Sequence, residues 1–296
     1  MQIIILGTSC MVPTKERNVS ATYLEFEGEG MLFDCGEGTQ RQMAIAGLSR
    51  QKVKKVFISH WHADHVAGLL GLIQTIGNLE KQRLDIYGPV GTKERLDHLL
   101  AATYFDLLVD LQVHEISQKA IVVQKKKYEI HADILEHGIP CVGFCFIEKE
   151  RLRIDMQKAK ALGLEQGPLL AELQQGKDVT HGKKTIRAKD VTFTVAPKKF
   201  AYIGDTVYCQ QAVDLCQDAD VAIIESTYAK EHENRAQEYF HLTSEQAAQI
   251  ANAANVGALY LTHVSQRYKD ATILEEQAKL YFENTKLAHD FMKIKL

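Results

Sequence analysis

The sequence predicts a layered α/β protein that carries a metal site at the ends of its strands. Short β-rich runs alternate with helical ones in both halves of the chain. The apolar run Val56-Phe57-Ile58-Ser59 leads directly into His60-Trp61-His62-Ala63-Asp64-His65, three imidazoles and a carboxylate on one turn. Residues 150–190 interrupt the alternation with Gly163, Gly167-Pro168, Gly176 and Gly182 among many charges, the composition of an insertion rather than of a core element.

Taken in order, strands are expected at Gln2 to Leu6, Ala21 to Phe26, Met31 to Phe33, Val56 to Ser59 and Leu84 to Tyr87, each bounded by Gly, Pro or Asn. The stretch Val66 to Ile73 reads as one buried helix after the histidine turn, and Gly91 to Ala102 has helical periodicity. Further strands are expected at Ile121 to Gln124, Tyr128 to Ile134 and Cys141 to Ile147. Beyond the insertion come strands at Phe200 to Ile203, Val221 to Glu225 and Ala258 to Thr262, helices at Thr243 to Ala254 and Thr272 to Phe282, and a terminal strand. Thr243-Ser244-Glu245-Gln246 has the pattern of a capped helix start.

With 296 residues, 46% of them hydrophobic, the chain can bury a large core. The net charge of −3 conceals an asymmetry. Residues 149–199 hold 12 Lys/Arg against 6 Asp/Glu, so one basic segment sits in an otherwise acidic chain. Cys10, Cys35, Cys141, Cys145, Cys209 and Cys216 are dispersed without a Cys-x-x-Cys pair and read as reduced thiols. No apolar run approaches the ~20 residues that span a bilayer. The N-terminus has no basic leader or apolar signal core, so the expected location is the cytoplasm.

Neutral imidazole nitrogens and carboxylate oxygens are zinc ligands, and they must converge from rigid elements. Continuing the strand's two-residue period would send His60 and His62 to one side, with Asp64 and His65 at the start of the next helix, an arrangement able to serve two ions. Two ions need more ligands. His137 after Leu135-Glu136, Asp205 in Ile203-Gly204-Asp205-Thr206 and His263 after Leu261-Thr262 each follow an apolar strand. Singly, these read as well as a turn residue, a helix N-cap and a solvated imidazole. Together they complete a count: His60, His62 and His137 around one ion, Asp64, His65 and His263 around the other, with Asp205 bridging and a coordination position left open at each. Open positions indicate catalysis.

The His-x-His-x-Asp-His turn with these three later ligands resembles the metallo-β-lactamase fold. The chain further resembles the short form of the tRNase Z family through Leu6-Gly7-Thr8-Ser9, Phe33-Asp34-Cys35-Gly36-Glu37-Gly38-Thr39-Gln40, Glu225-Ser226-Thr227, His241-Leu242-Thr243 and Leu261 to Tyr268, nearly end to end. That resemblance implies an αββα four-layer sandwich over residues 1–296, interrupted at 150–195 by a flexible arm that binds tRNA through a Gly-Pro motif, here Gly167-Pro168. It also implies two Zn2+ per subunit, a homodimer, and hydrolysis of precursor tRNA at its 3′ trailer.

In that family Asp64 would be the general base and His241 a proton donor to the leaving or a phosphoryl oxygen. Asp34 and Glu225 would orient ligating imidazoles, and Arg267 would contact phosphate. The chain departs from common family patterns at Ala63, at Ala67-Gly68-Leu69-Leu70, and in lacking a lysine after Pro89; none of these removes a ligand. The rival readings are another hydrolase of this fold, acting on a phosphodiester, thioester or lactone, and an RNA-binding scaffold without turnover.

Overall fold

The computed structural model describes residues 1–77, 82–182 and 184–296. They divide into two compact units, one of Met1–Val123, Ile130–Phe146 and Lys199–Leu296, the other of Gln124–Glu129 and Ile147–Lys198.

The first unit is built on two seven-stranded sheets. One runs in the order Lys293–Lys295, Gln2–Gly7, Ala21–Phe26, Glu29–Phe33, Val53–Phe57, Arg83–Pro89 and Asp110–Ile116. The other runs Thr285–Leu287, Leu259–Thr262, Val221–Glu225, Lys199–Ile203, Cys141–Glu148, Tyr128–Leu135 and Ala120–Gln124. The two-residue period of the strands decides which layer each side chain joins. Phe33, Phe57 and Tyr87 lie in register on adjacent strands, their rings stacked at 5.0 Å, and face the other sheet, where Phe33 meets Phe144, Phe200 and Tyr202. Their neighbours Leu32, Val56 and Ile86 point the opposite way, into a cluster with Leu69, Leu72, Ile73 and Ile76 of the helix Leu69–Ile76. The helix Ser244–Ala253 packs against Val221–Glu225 and Leu259–Thr262 of the second sheet. Helices thus flank two face-to-face sheets, the αββα sandwich expected.

Most expected elements lie where the pattern placed them, and the helix at Ser244 starts with the full capping box of Thr243 and Gln246. Two expectations are corrected near the site. The first strand of the histidine motif is Val53–Phe57, so His60 and His62 sit in a loop and not on the strand's period. The expected single helix over Val66 to Ile73 is two helices, Ala63–Val66 and Leu69–Ile76, broken at Ala67-Gly68. The break has a packing cause: the Gly68 N–H donates to the Cys35 carbonyl at 2.9 Å, and a Cβ on Gly68 would fall 2.1 Å from the Gly36 oxygen. Asp110–Ile116 and the helices Thr39–Ile45, Gln210–Cys216 and Glu233–Glu238 were not anticipated, being short or of mixed polarity.

The second unit contains the basic insertion. Its hairpin Arg151–Ile154 with Thr192–Val195 pairs Arg151 with Val195 through to Ile154 with Thr192. Beyond it, Ala159, Leu164, Leu170, Leu173, Val179, Ile186, Ala188 and Val191 bury a small core. That internal packing is more than its Gly- and charge-rich composition led us to expect, because eight apolar positions spread over about 30 residues show no period that a window can detect. No helix among the described residues is long and apolar enough to cross a membrane.

Candidate metal centre

The parallel strands Lys199–Ile203, Val221–Glu225 and Leu259–Thr262 are in register, so their C-terminal ends deliver Asp205, Glu225 and His263 to one place. Val53–Phe57 and Tyr128–Leu135 deliver the histidine turn and His137. The turn at Asp34 holds the histidine turn in place. Asp34 has a left-handed φ of 58°, the Cys35 N–H donates to the His65 carbonyl at 2.8 Å, and a Cβ on Gly36 would meet the Asp64 carbonyl at 2.2 Å. A side chain there cannot fit without moving the ligands.

All seven expected ligands come together. The ligand atoms of His60, His62, His137 and Asp205 lie within 4.8 Å of one another, as do those of Asp64, His65 and His263, and also those of Asp205, His241 and His263. Asp205 spans the groups, its Oδ2 at 3.5 Å from His60 Nε2 and its Oδ1 at 3.6 Å from His65 Nε2 and 3.3 Å from His263 Nδ1. Asp64 Oδ2 lies 3.6 Å from His65 Nε2 and 3.4 Å from His263 Nε2, and accepts the Met11 N–H at 2.7 Å.

The outer partners of these rings decide which nitrogen faces inward. Asp34 Oδ2 sits 2.7 Å from His65 Nδ1; the Phe240 carbonyl accepts from His137 Nδ1 at 3.0 Å. Thr227 Oγ1 donates to Glu225 at 2.6 Å and so is left to accept from His263 Nδ1 at 2.9 Å. Ser59 Oγ donates to Asp34 at 2.9 Å and accepts from His60 Nδ1 at 3.0 Å. With those N–H groups directed outward, two bare nitrogens face each other, His65 Nε2 and His263 Nε2 at 3.2 Å, while the bare His60 Nε2 and His137 Nε2 both turn to His62 Nδ1, at 3.0 and 3.3 Å. Lone pairs at such distances repel unless a cation lies among them. Asp205 Oδ1, buried and without a hydrogen-bond partner, is the matching unsatisfied acceptor. The donor set therefore fits divalent metal.

The charges agree. Burial pushes the His60 imidazole well below its ordinary pKa, helped by His65. Burial also opposes charge on His65, but Asp205 and Asp34 outweigh it and hold the ring up to about 9. His241 behaves alike: burial is overcome by Glu225 and Asp205, again to about 9. Against the cost of burial, His263, His65 and His60 keep Asp205 well below the carboxylate range. Surroundings that retain a proton on His65 favour a cation in its place.

Residues 1–137 match the family model described as anti-Pycsar protein Apyc1, and residues 165–264 match the β-lactamase superfamily domain. The chain is 40% identical to ribonuclease Z of Methanothermobacter thermautotrophicus over 300 residues, covering all of this chain and 97% of that protein. It is 42% identical to ribonuclease Z of Pyrococcus abyssi, covering 95% of this chain and 91% of the relative. The chain belongs to the ribonuclease Z family. Among solved structures, human tRNase Z, short form, superimposes with a TM-score of 0.74 at 28% identity over 100% of this chain and 99% of the other. The metallo-β-lactamase fold protein YhfI from Bacillus subtilis, at 17% identity and a TM-score of 0.71, shares the fold.

Within this ribonuclease Z family member, the two expected orienting carboxylates take different partners. Asp34 holds His65 and is itself fixed by Ser59 N, Ser59 Oγ and Tyr202 OH at 2.7, 2.9 and 2.8 Å. Glu225 instead holds His241, its Oε1 at 3.0 Å from Nδ1, and reaches His263 only through Thr227. Arg267 is exposed, with its guanidinium 4.9 Å from the centre of the Tyr228 ring. Gly167 and Pro168 are exposed in the second unit, Pro168 opening the helix Pro168–Gln174. Sequence reasoning missed Ser59, Tyr202, Thr227 and the Phe240 carbonyl. Thr227 lies in the Glu225-Ser226-Thr227 motif and could have been found there; a strand tyrosine and a backbone oxygen give no signal.

Asp34→Asn replaces the acceptor facing His65 Nδ1 with a group that can also donate. Loss of such a partner costs roughly 10–100-fold in metal affinity. Competition against a chelator should show that drop, and unchanged affinity would remove Asp34 from its orienting role.

Proposed function

We propose that this chain is a zinc-dependent endoribonuclease that removes the 3′ trailer from precursor tRNA, leaving a 3′-hydroxyl on the tRNA and a 5′-phosphate on the trailer. The observation that carries the reading is the convergence of six imidazole and carboxylate ligand groups around the unsatisfied Asp205, in a chain about 40% identical over its whole length to proteins named ribonuclease Z.

His60, His62 and His137 with Asp205 would hold one ion; Asp64, His65 and His263 with Asp205 would hold the second. When bound, the pair supplies Lewis-acid charge that offsets the negative charge growing on the phosphoryl oxygens. Asp64, tethered by the Met11 N–H, takes the proton of the attacking water. His241, anchored by Glu225, donates a proton to the leaving oxygen. Loss of a positioned acid of this kind costs roughly 10²–10⁴-fold. His241→Ala should therefore lower kcat by about that factor at normal metal content; a loss below tenfold would demote His241 to a structural role.

The second unit serves as the arm that binds tRNA. Its basic excess and exposed Gly167-Pro168 support this, since Lys and Arg contacts to phosphates supply most sequence-independent affinity for folded RNA. Arg267, lying over Tyr228, is a further phosphate contact. Six free cysteines accord with a reducing cytoplasm, and the family resemblance supports a homodimer, which sedimentation would test. Incubating the purified protein with a precursor tRNA and mapping the product end decides the reading. A cut beside the discriminator nucleotide is expected. Cleavage of thioesters but not of precursor RNA, or binding without turnover, would overturn it.

A further inference from the structure

The cavity that opens beside His137 and His241 has a volume of about 670 Å³ and a lining unlike that of a phosphate site. Glu136 and Glu233 bring carboxylates to it, Asn234 and Gln237 bring amides, and Tyr208 and Phe240 bring rings that are 43% and 45% exposed. Among the described residues that line it there is no Lys or Arg. The two carboxylates repel a phosphodiester oxygen, whereas carboxylates and amides together accept and donate along the edge of a heterocycle, and the exposed rings offer faces to stack on.

Phe240 adds an independent observation. It occupies the left-handed position just past the helix Glu233–Glu238 with a φ of 57°, a place where Gly or Asn is the ordinary occupant and a bulky residue is an outlier. The backbone there is fixed, because the Phe240 carbonyl accepts from His137 Nδ1 and the His241 N–H donates to the Ala236 carbonyl at 2.7 Å. Glycine would meet both demands without strain. The ring packs edge-on to His137, 6.4 Å between centroids, and the remainder of it stays exposed in the cavity, where it can contact a ligand.

We propose that this cavity binds the nucleobase next to the scissile phosphate, stacking it on Phe240 and Tyr208 and reading its edge with Glu136, Glu233, Asn234 and Gln237. The inference rests on the endoribonuclease reading. It places the sugar-phosphate backbone at His137 and His241 and turns the base away from the metal ligands into the cavity. Specificity at the cleavage position then comes from this cavity, separately from docking of the tRNA body.

The test compares intact precursor RNA with two substrates, each made abasic at one position, the last tRNA nucleotide or the first trailer nucleotide. In the unaltered protein, one of the two lesions should raise KM on the order of tenfold, the scale of one base stacked on an aromatic side chain. It should also weaken, to the same extent, direct titration of chelator-treated protein with RNA. In Phe240→Gly the same lesion should cost nothing further, while the melting temperature rises as the strain is relieved. Phe240→Tyr should restore the penalty. Tyr208→Ala provides a second route should the glycine variant bind metal poorly. An equal abasic penalty in the unaltered and variant proteins overturns the inference, and so does the absence of any penalty at both positions. Failure of the intact precursor to be cut would instead overturn the endoribonuclease reading itself.

Discussion

Asp64→Ala should abolish precursor-tRNA cleavage, by roughly three orders of magnitude or more, with little loss of fold. The side chain sits at the crowded centre of the second ligand group and contributes an anionic oxygen shared between His65 and His263. Its removal takes away the carboxylate proposed as both proton acceptor and metal ligand. The fold has little to lose, because among the described residues the backbone donor to this carboxylate is Met11 N, in an exposed loop. Single-turnover cleavage, metal content and thermal melting should be measured together. Cleavage retained above about a tenth of the unaltered rate would sink the role assigned to Asp64, whatever the metal content.

The second large effect concerns the basic unit. The ladder from Arg151–Val195 to Ile154–Thr192 gives a clean place to cut, since replacing residues 155–191 by Asn-Gly closes the hairpin with the turn that two-residue connections favour. The small core of Ala159, Leu173, Val191 and their neighbours leaves almost whole. Precursor-tRNA cleavage should fall roughly a hundredfold or more, because many phosphate contacts go at once, while a small phosphodiester continues to be hydrolysed. Equal losses on both substrates would argue against a docking role for this unit.

The ligands were legible because their chemistry is local. His60, His62, Asp64 and His65 occupy one turn, and His137, Asp205 and His263 each follow an apolar strand, so residue type and position were enough to pick out the seven side chains that the fold brings together. The sheet order was less accessible. Nothing in the run Lys293–Lys295 announces that it pairs with Gln2–Gly7 at the far end of the chain, because pairing depends on contacts remote in sequence. The break between Ala63–Val66 and Leu69–Ile76 was invisible for the same reason: its cause is the close approach of Cys35 and Gly36. The core of the second unit went unseen because its apolar residues are spaced by tertiary need and not by one period.

Residue chemistry alone was enough to pick out seven histidines and aspartates as candidate metal ligands, since their nitrogen and oxygen donors follow apolar strands. Only the folded chain decided which nitrogen of His60, His65, His137 and His263 faces inward, that Glu225 holds His241 while Asp34 holds His65, and that Phe240 closes one side of the centre with its carbonyl while offering its ring to a cavity. Those are choices of tautomer, partner and direction. They are made by hydrogen bonds between residues up to about 170 positions apart, such as Tyr202 with Asp34, and no local pattern encodes them.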